Sequence, residues 1–144
     1  MVTPAGFFIR TGPNLTPMHR IHSAQALRAL LNANPTSKPC SCSLGPCVGW
    51  ESLTEERWPA AHMQAVATLR DSDLAEPTFE EQHPDGTRYE SADAPVAIQF
   101  FPYNRCDIWH CSHCQRHLLR YTEFGGYYVD HRVRALSPNL TLLD

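Results

Sequence analysis

Six cysteines fall in two tight groups, and their spacing constrains this chain more than any other feature. Cys40, Cys42 and Cys47 lie in Pro-Cys-Ser-Cys-Ser-Leu-Gly-Pro-Cys, and Cys106, Cys111 and Cys114 in Cys-Asp-Ile-Trp-His-Cys-Ser-His-Cys. A tetrahedral structural zinc takes paired thiolates from two separate loops. The two groups read as halves of one such site, which requires the first loop to fold back on the second.

Cys111-x-x-Cys114 is the stronger half, because two intervening residues let both sulfurs reach one ion. Gln115 follows it, where a glycine would most easily supply a left-handed turn. From the first group, Cys42 with Cys47 is the preferred pair and Cys40 with Cys42 the alternative. The predicted ligands of a structural zinc are thus Cys42, Cys47, Cys111 and Cys114. Cys106 reads as a buried thiol outside the site. His110, His113 and His117 flank the second pair and are substitute ligands. A redox role for Cys111 and Cys114 is the lesser reading, since it needs the first cysteine at a helix N-terminus.

With 144 residues the chain is one domain with room for one core. Residues 1–20, with Pro4, Pro13 and Pro17, read as an irregular segment with a short strand at Phe7–Ile9. Ser23 caps a helix whose Ala24, Leu27, Leu30 and Leu31 fall at helical spacing, and Asn34-Pro35 ends it. A second helix is predicted from near Thr54, with Pro59 in its first turn or the helix starting later, near Pro59 itself, and with Met63, Val66, Ala67 and Leu69 buried. Thr78–Glu81 and Thr87–Glu90 read as a hairpin turned by Pro84-Asp85-Gly86, and Val96–Phe101 as a further strand. Asp107–Cys111, Leu118–Glu123 and Tyr127–Val133 form a meander turned at Gly125-Gly126. The predicted fold class is α+β: two helices in the N-terminal half, an antiparallel β-meander in the C-terminal half, and a zinc-ribbon-like Cys knuckle.

Charge is distributed unevenly. Between Glu51 and Asp93 eleven acids face three arginines, a net charge of −8, whereas the whole chain carries only −3. Such a segment repels nucleic acid and attracts basic proteins. Glu80, Glu81 and Asp85, at or beside the predicted hairpin tip, are the candidate partner-binding residues. No apolar run reaches membrane-spanning length, and the N-terminus lacks the charged start and apolar stretch of a secretory signal. A cytoplasmic location follows as the expectation, and clustered cysteines there are more often metal ligands than disulfides.

No His-Glu-x-x-His, deaminase signature or glycine-rich phosphate loop is present, and Asp130-His131 are strand neighbours pointing to opposite faces. The chain therefore reads as a binding protein, not an enzyme. Late aromatics, from Phe100 to Tyr128, read as sheet core in preference to a base-stacking platform.

The stretch Phe101-Pro102-Tyr103-Asn104-Arg105-Cys106-Asp107-Ile108-Trp109, continued by Arg120-Tyr121-Thr122-Glu123-Phe124-Gly125-Gly126-Tyr127-Tyr128, resembles small bacterial zinc-binding proteins similar to the immunity proteins of secreted polymorphic toxins. The resemblance is clearest over 78–144. It implies a protein that neutralises a cognate toxin by occlusion and transfers no catalytic residues. A basic toxin cleft would complement the acidic segment. The alternative is a zinc-ribbon nucleic-acid-binding or regulatory protein using Arg105, Arg116, Arg120, Arg132 and Arg134.

Overall fold

Alternation of inward and outward side chains builds the C-terminal half. In a computed structural model, which describes residues 19–33 and 43–144, Asp107–Cys111, His117–Phe124 and Val129–Ala135 are consecutive antiparallel strands. Two N-terminal strands extend this meander at its edges. With β1 as Glu51–Leu53, β2 as Met63–Thr68, β3 as Val96–Ala97, β4 to β6 as the meander and β7 as Leu142–Leu143, the five-stranded sheet runs β1-β6-β5-β4-β2. β3 and β7 form a separate parallel pair.

The sheet is covered on both faces. Ile108 lies opposite Leu119, and Leu119 opposite Arg134, so these point to one side. There Ile108, Leu119 and Tyr121 pack with Ile21, Leu27, Leu31, Val96, Ile98, Tyr103, Cys106 and Leu136. Their strand neighbours point the other way. On that second face Cys111, Leu118 and Val133 pack with Leu44, Cys47, Leu53, Trp58 and Cys114.

Helix α1 (Ala24–Ala33) supplies Leu27 and Leu31 to the first core. The Ser23 hydroxyl caps it by accepting the Ala26 N–H at 3.1 Å, as its position before the periodic run predicts. Arg28 then donates to the Pro138 and Leu140 carbonyls at 2.8 and 2.7 Å and ties the helix to the approach to β7.

The expected α+β arrangement with two N-terminal helices needs correction: the described residues contain one α-helix, and the fold is mostly β. Where the second helix was expected, Thr54–Arg57 makes a turn, Ala60–His62 a single 3-10 turn, and Met63–Thr68 an edge strand. Pro59 has no N–H to continue a helix begun at Thr54. The helix-like spacing of Met63, Val66 and Ala67 has another origin. Ala65 opposes Trp109 and Ala67 opposes Ile108, so Val66 is an extra residue in a bulge. A bulge breaks the two-residue alternation of a strand and mimics a longer period.

The zinc-ribbon-like description also fails. The Cys111–Cys114 turn joins two central strands of a wider sheet, and among the described residues no group of three or more His, Cys, Asp or Glu side chains is placed to hold a metal ion. The predicted hairpin over 78–90 is irregular chain, although its turn forms: Gly86 takes φ +80° and donates to the His83 carbonyl at 3.0 Å. The strand expected over Val96–Phe101 is limited to β3. Phe7–Ile9, Cys40 and Cys42 lie outside the described residues. Among those described, no helix is long and apolar enough to cross a membrane.

Arg134 joins the peripheral segments to the sheet. Its side chain has no exposed surface and makes no ion pair among the described residues. Its donors go to the carbonyls of Val48 at 3.3 Å, Ala92 at 3.0 Å and Ala94 at 2.9 Å, and to the Tyr103 hydroxyl. Replacing it strands these buried acceptors. Arg134→Met is expected to lower the unfolding free energy by about 3–5 kcal/mol, or to prevent folding. Arg120→Met, which removes a contact to an exposed carboxylate and a stacked Trp58, is expected to cost about 1 kcal/mol. Urea unfolding midpoints compare the two, and equal losses would contradict the role given to Arg134.

Candidate metal centre and acidic surface

The second core is small, and three of its eight buried residues are cysteines: Cys47, Cys111 and Cys114. The loop bearing Cys47 reaches the meander through two hydrogen bonds. Ala135 N–H donates to the Cys47 carbonyl at 2.8 Å, and Arg116 Nη1 donates to the Pro46 carbonyl at 3.3 Å. This is the fold-back that the two-cluster reading requires.

The turn after β4 is tightly made. Cys111 N–H donates to the Arg116 carbonyl at 3.0 Å, and Gln115 N–H to the Cys111 carbonyl at 2.8 Å. Gln115 takes φ +65°, so the left-handed position has a side-chain-bearing residue at a cost of about 1–2 kcal/mol. Its amide donates to the Ser112 carbonyl at 2.9 Å and offsets part of that. Burial pushes the Cys111 thiol above its ordinary range, while hydrogen bonds from the Cys114 and His113 amides pull the other way, and the neighbouring Cys114 thiol raises it again. Cys111 and Cys114 bring two neighbouring buried thiols to this turn, the donor type that a structural zinc takes. A four-thiolate site needs ligands from the first cluster; Cys47 is in the same core, whereas Cys40 and Cys42 lie outside the described residues.

Cys106 belongs to the other core. It is fully buried, its thiol donates to the Pro102 carbonyl at 3.2 Å, and burial and then Asp107 hold its pKa well above the usual value. His110 and His117 face away from Cys111, because neighbours on a strand point to opposite sides and these two pair across β4 and β5 with rings 5.0 Å apart. His113 stands exposed beside His62, with ring centroids 5.2 Å apart. His131 bonds Thr122 Oγ1 through Nδ1 at 3.0 Å, and its Nε2 lies 3.0 Å from Glu55 Oε1, which also accepts from Arg120.

The acidic candidates lie on a long excursion between β2 and β3 that contains no helix or strand. Glu80, Glu81 and Asp85 are all exposed. Over 71–93 there are eight carboxylates against Arg88 alone. Asp71 pairs with Arg20 and Glu81 with His83; among the described residues the other six make no ion pair. The excursion is nonetheless held in place. Asn104 and Arg105 donate to the Thr78 and Pro77 carbonyls, both at 2.9 Å, and Phe101 N–H donates to the Glu80 carbonyl at 2.7 Å. Two apolar side chains are exposed on it: Leu74, and Phe79, whose ring also carries the Arg105 guanidinium at 4.1 Å.

The five arginines of the nucleic-acid alternative are engaged inside the protein. Arg105 lies on Phe79, Arg116 is buried, and Arg120 stacks 4.2 Å over Trp58. Arg132 pairs with Asp130 and Glu123, and Arg134 is buried. The inner aromatics are likewise core: Trp50 packs on Tyr89, Tyr103 and Tyr121. Sequence reasoning missed the anchoring roles of Arg134, Tyr89 and Asn104. The available signal was an arginine among apolar strand residues, which has to find partners if buried.

Compared with protein families, curated proteins and solved structures, the chain matches none.

The His117 ring makes stability depend on pH. Burial first, and then the charge of His110, lower its pKa from 6.5 to about 4, so the folded form holds it neutral. The unfolded chain binds a proton as pH falls below about 6.5, and the folded chain does not until about 4. Stability is therefore full above pH 6.5 and is lost as pH drops through that window, by about 1–2 kcal/mol after allowance for solvent screening. Urea midpoints at pH 7.5 and pH 5 should show this loss in the wild type, and less of it in His117→Leu.

Proposed function

We propose that this chain is an immunity-type protein that binds a basic protein toxin and blocks it by occlusion, with a zinc held by Cys42, Cys47, Cys111 and Cys114 stabilising its fold. The observation that carries the reading is the excursion over 71–93. Six of its eight carboxylates make no ion pair among the described residues, they alternate in sequence with two exposed apolar residues, Leu74 and Phe79, and its backbone is anchored to the 3-10 turn Tyr103–Arg105 that leads into β4. An apolar centre with a polar rim is the usual anatomy of a protein interface. A carboxylate field steers a basic partner and raises its association rate. The resemblance over 78–144 points to the same activity. The internal engagement of the five arginines weighs against the nucleic-acid alternative.

The zinc half of the reading rests on the donor set. Three thiols are members of one core, and the Cys47 loop is bonded to the meander. Bound zinc would supply structural cross-linking only. Elemental analysis of protein purified under reducing conditions should find about one zinc per chain. Cys111→Ser or Cys114→Ser should lower the melting temperature strongly and abolish its sensitivity to chelator. Cys106→Ser, which keeps a donor for the Pro102 carbonyl, should melt close to wild type and stay chelator-sensitive. Metal-free wild-type protein would end the zinc proposal.

Binding is tested with the protein encoded beside this one. Wild type should bind it with an association rate that falls steeply as salt rises. The double change Glu80→Lys and Glu81→Lys should slow association about tenfold or more and flatten the salt dependence, with the melting temperature little changed. Binding of the wild type to a mixed oligonucleotide at physiological salt, with no binding to the neighbouring product, would replace this reading with the nucleic-acid one.

A further inference from the structure

The tip of the β5–β6 hairpin is apolar and open to solvent. Phe124, Tyr127, Tyr128 and Val129 are 76%, 104%, 58% and 56% exposed. A soluble surface that gathers four large apolar side chains within six residues marks an interaction site. We propose that this tip is the hydrophobic anchor of the partner interface, inserted into an apolar slot on the basic protein that the acidic excursion attracts; this deepens, and rests on, the function proposed above.

The tip has a defined shape. Gly125 N–H donates to the Tyr128 carbonyl at 2.9 Å, and the Tyr128 ring lies so close over Gly125 that a Cβ there would come within 2.1 Å of it. A preorganised aromatic anchor loses little entropy on binding. The tip is also fixed relative to the acidic excursion. Arg132 on β6 pairs with Glu123 and Asp130 at the two sides of the hairpin, and its Nη1 donates to the Tyr89 hydroxyl at 3.0 Å. Tyr89 belongs to the excursion and bonds the Tyr121 hydroxyl on β5 at 2.6 Å. Acidic and apolar surfaces are thus held on one framework.

Charge selects the occupant. An anionic lipid surface requires lysine or arginine near the inserted tip, and Glu123–Asp130 contains neither. A second copy would bring the same unneutralised carboxylates. A basic protein meets both surfaces at once. The four side chains expose roughly 500 Å² together, more than half of the about 800 Å² that each partner gives to a standard interface. The excursion supplies the remainder.

The two surfaces separate kinetically. With the neighbouring gene's product as probe, Tyr127→Ser combined with Phe124→Ser should speed dissociation by at least about 30-fold, as for an anchor residue. The association rate and its salt dependence should stay at wild-type values, the reverse of the Glu80 and Glu81 charge reversals. Both side chains are exposed, so the melting temperature should not fall. Gly125→Ala, which displaces the Tyr128 ring without removing an aromatic, should also speed dissociation. If the wild type binds and the tip variants dissociate at its rate, this inference fails while the acidic reading stands. If the wild type does not bind, the proposed function fails and takes this inference with it. A dimer of the wild type that Tyr127→Ser disperses, or wild-type binding to vesicles rich in anionic lipid, would reassign the tip to those occupants.

Discussion

A single buried guanidinium holds the periphery of this fold to its sheet. Moving a charge out of water is costly, and the cost is met only if every donor finds an acceptor. Arg134 meets it with carbonyls from two separate segments, Val48 on one side and Ala92 and Ala94 on the other, plus the Tyr103 hydroxyl. Those segments have no strand partners of their own at these residues. Arg134 thereby gives the approach to β1 and the end of the acidic excursion a common polar attachment point, beside the direct packing of Trp50 on Tyr89. Tyr103 in turn packs on Trp50, which also meets Tyr89 and Tyr121, so the Arg134 hydrogen bonds adjoin an aromatic cluster.

The two faces of the sheet are stabilised by different means. The first has thirteen buried members, drawn from α1, β2 to β5 and the segments around them, and is an ordinary hydrophobic core. The second has eight, from a loop and a few strand positions, and its cover is the irregular segment carrying Leu44, Cys47 and Trp58. A layer of that size contributes little burial to offset the entropy of ordering a loop. On the proposed reading, zinc supplies the difference. It would explain why three of the four described cysteines lie on this face and one, Cys106, on the other.

How far the sequence could be read follows from which signals were local. Ser23 with Leu27 and Leu31 marks α1 because cap and periodicity are properties of ten adjacent residues. β4 was readable at its exact bounds because a turn closes it at Cys111. β2 was not. Its bulge at Val66 disguised the alternation, and its identity as a strand depends on β4, some forty residues downstream in sequence. The candidate residues divide the same way. Clustering of cysteines is visible locally, whereas the burial of Arg134 and the anchoring of Thr78 by Asn104 are long-range facts that composition cannot reveal. The exposed Phe124, Tyr127 and Tyr128 were read as core because aromatics in strands usually are; the tip position of the last two reverses that expectation.

Charge in this protein is sorted by function. The arginines of the C-terminal half are engaged within the fold, stacked on rings, paired across strands or buried. Six of the eight carboxylates of 71–93 make no ion pair among the described residues, on chain that has no helix or strand to hold it. Self-repulsion would drive such a segment into solvent. Instead Asn104, Arg105, Phe101 and Arg132 secure it at Pro77, Thr78, Glu80 and Tyr89, and the Asn104 side chain is itself buried. The segment from Phe101 to Arg105, with Arg132 on β6, thus bears the cost of displaying an acidic loop in one conformation. A loop ordered in advance loses less entropy when a partner binds, and a rigid scaffold displaying an irregular loop is how binding surfaces are commonly built.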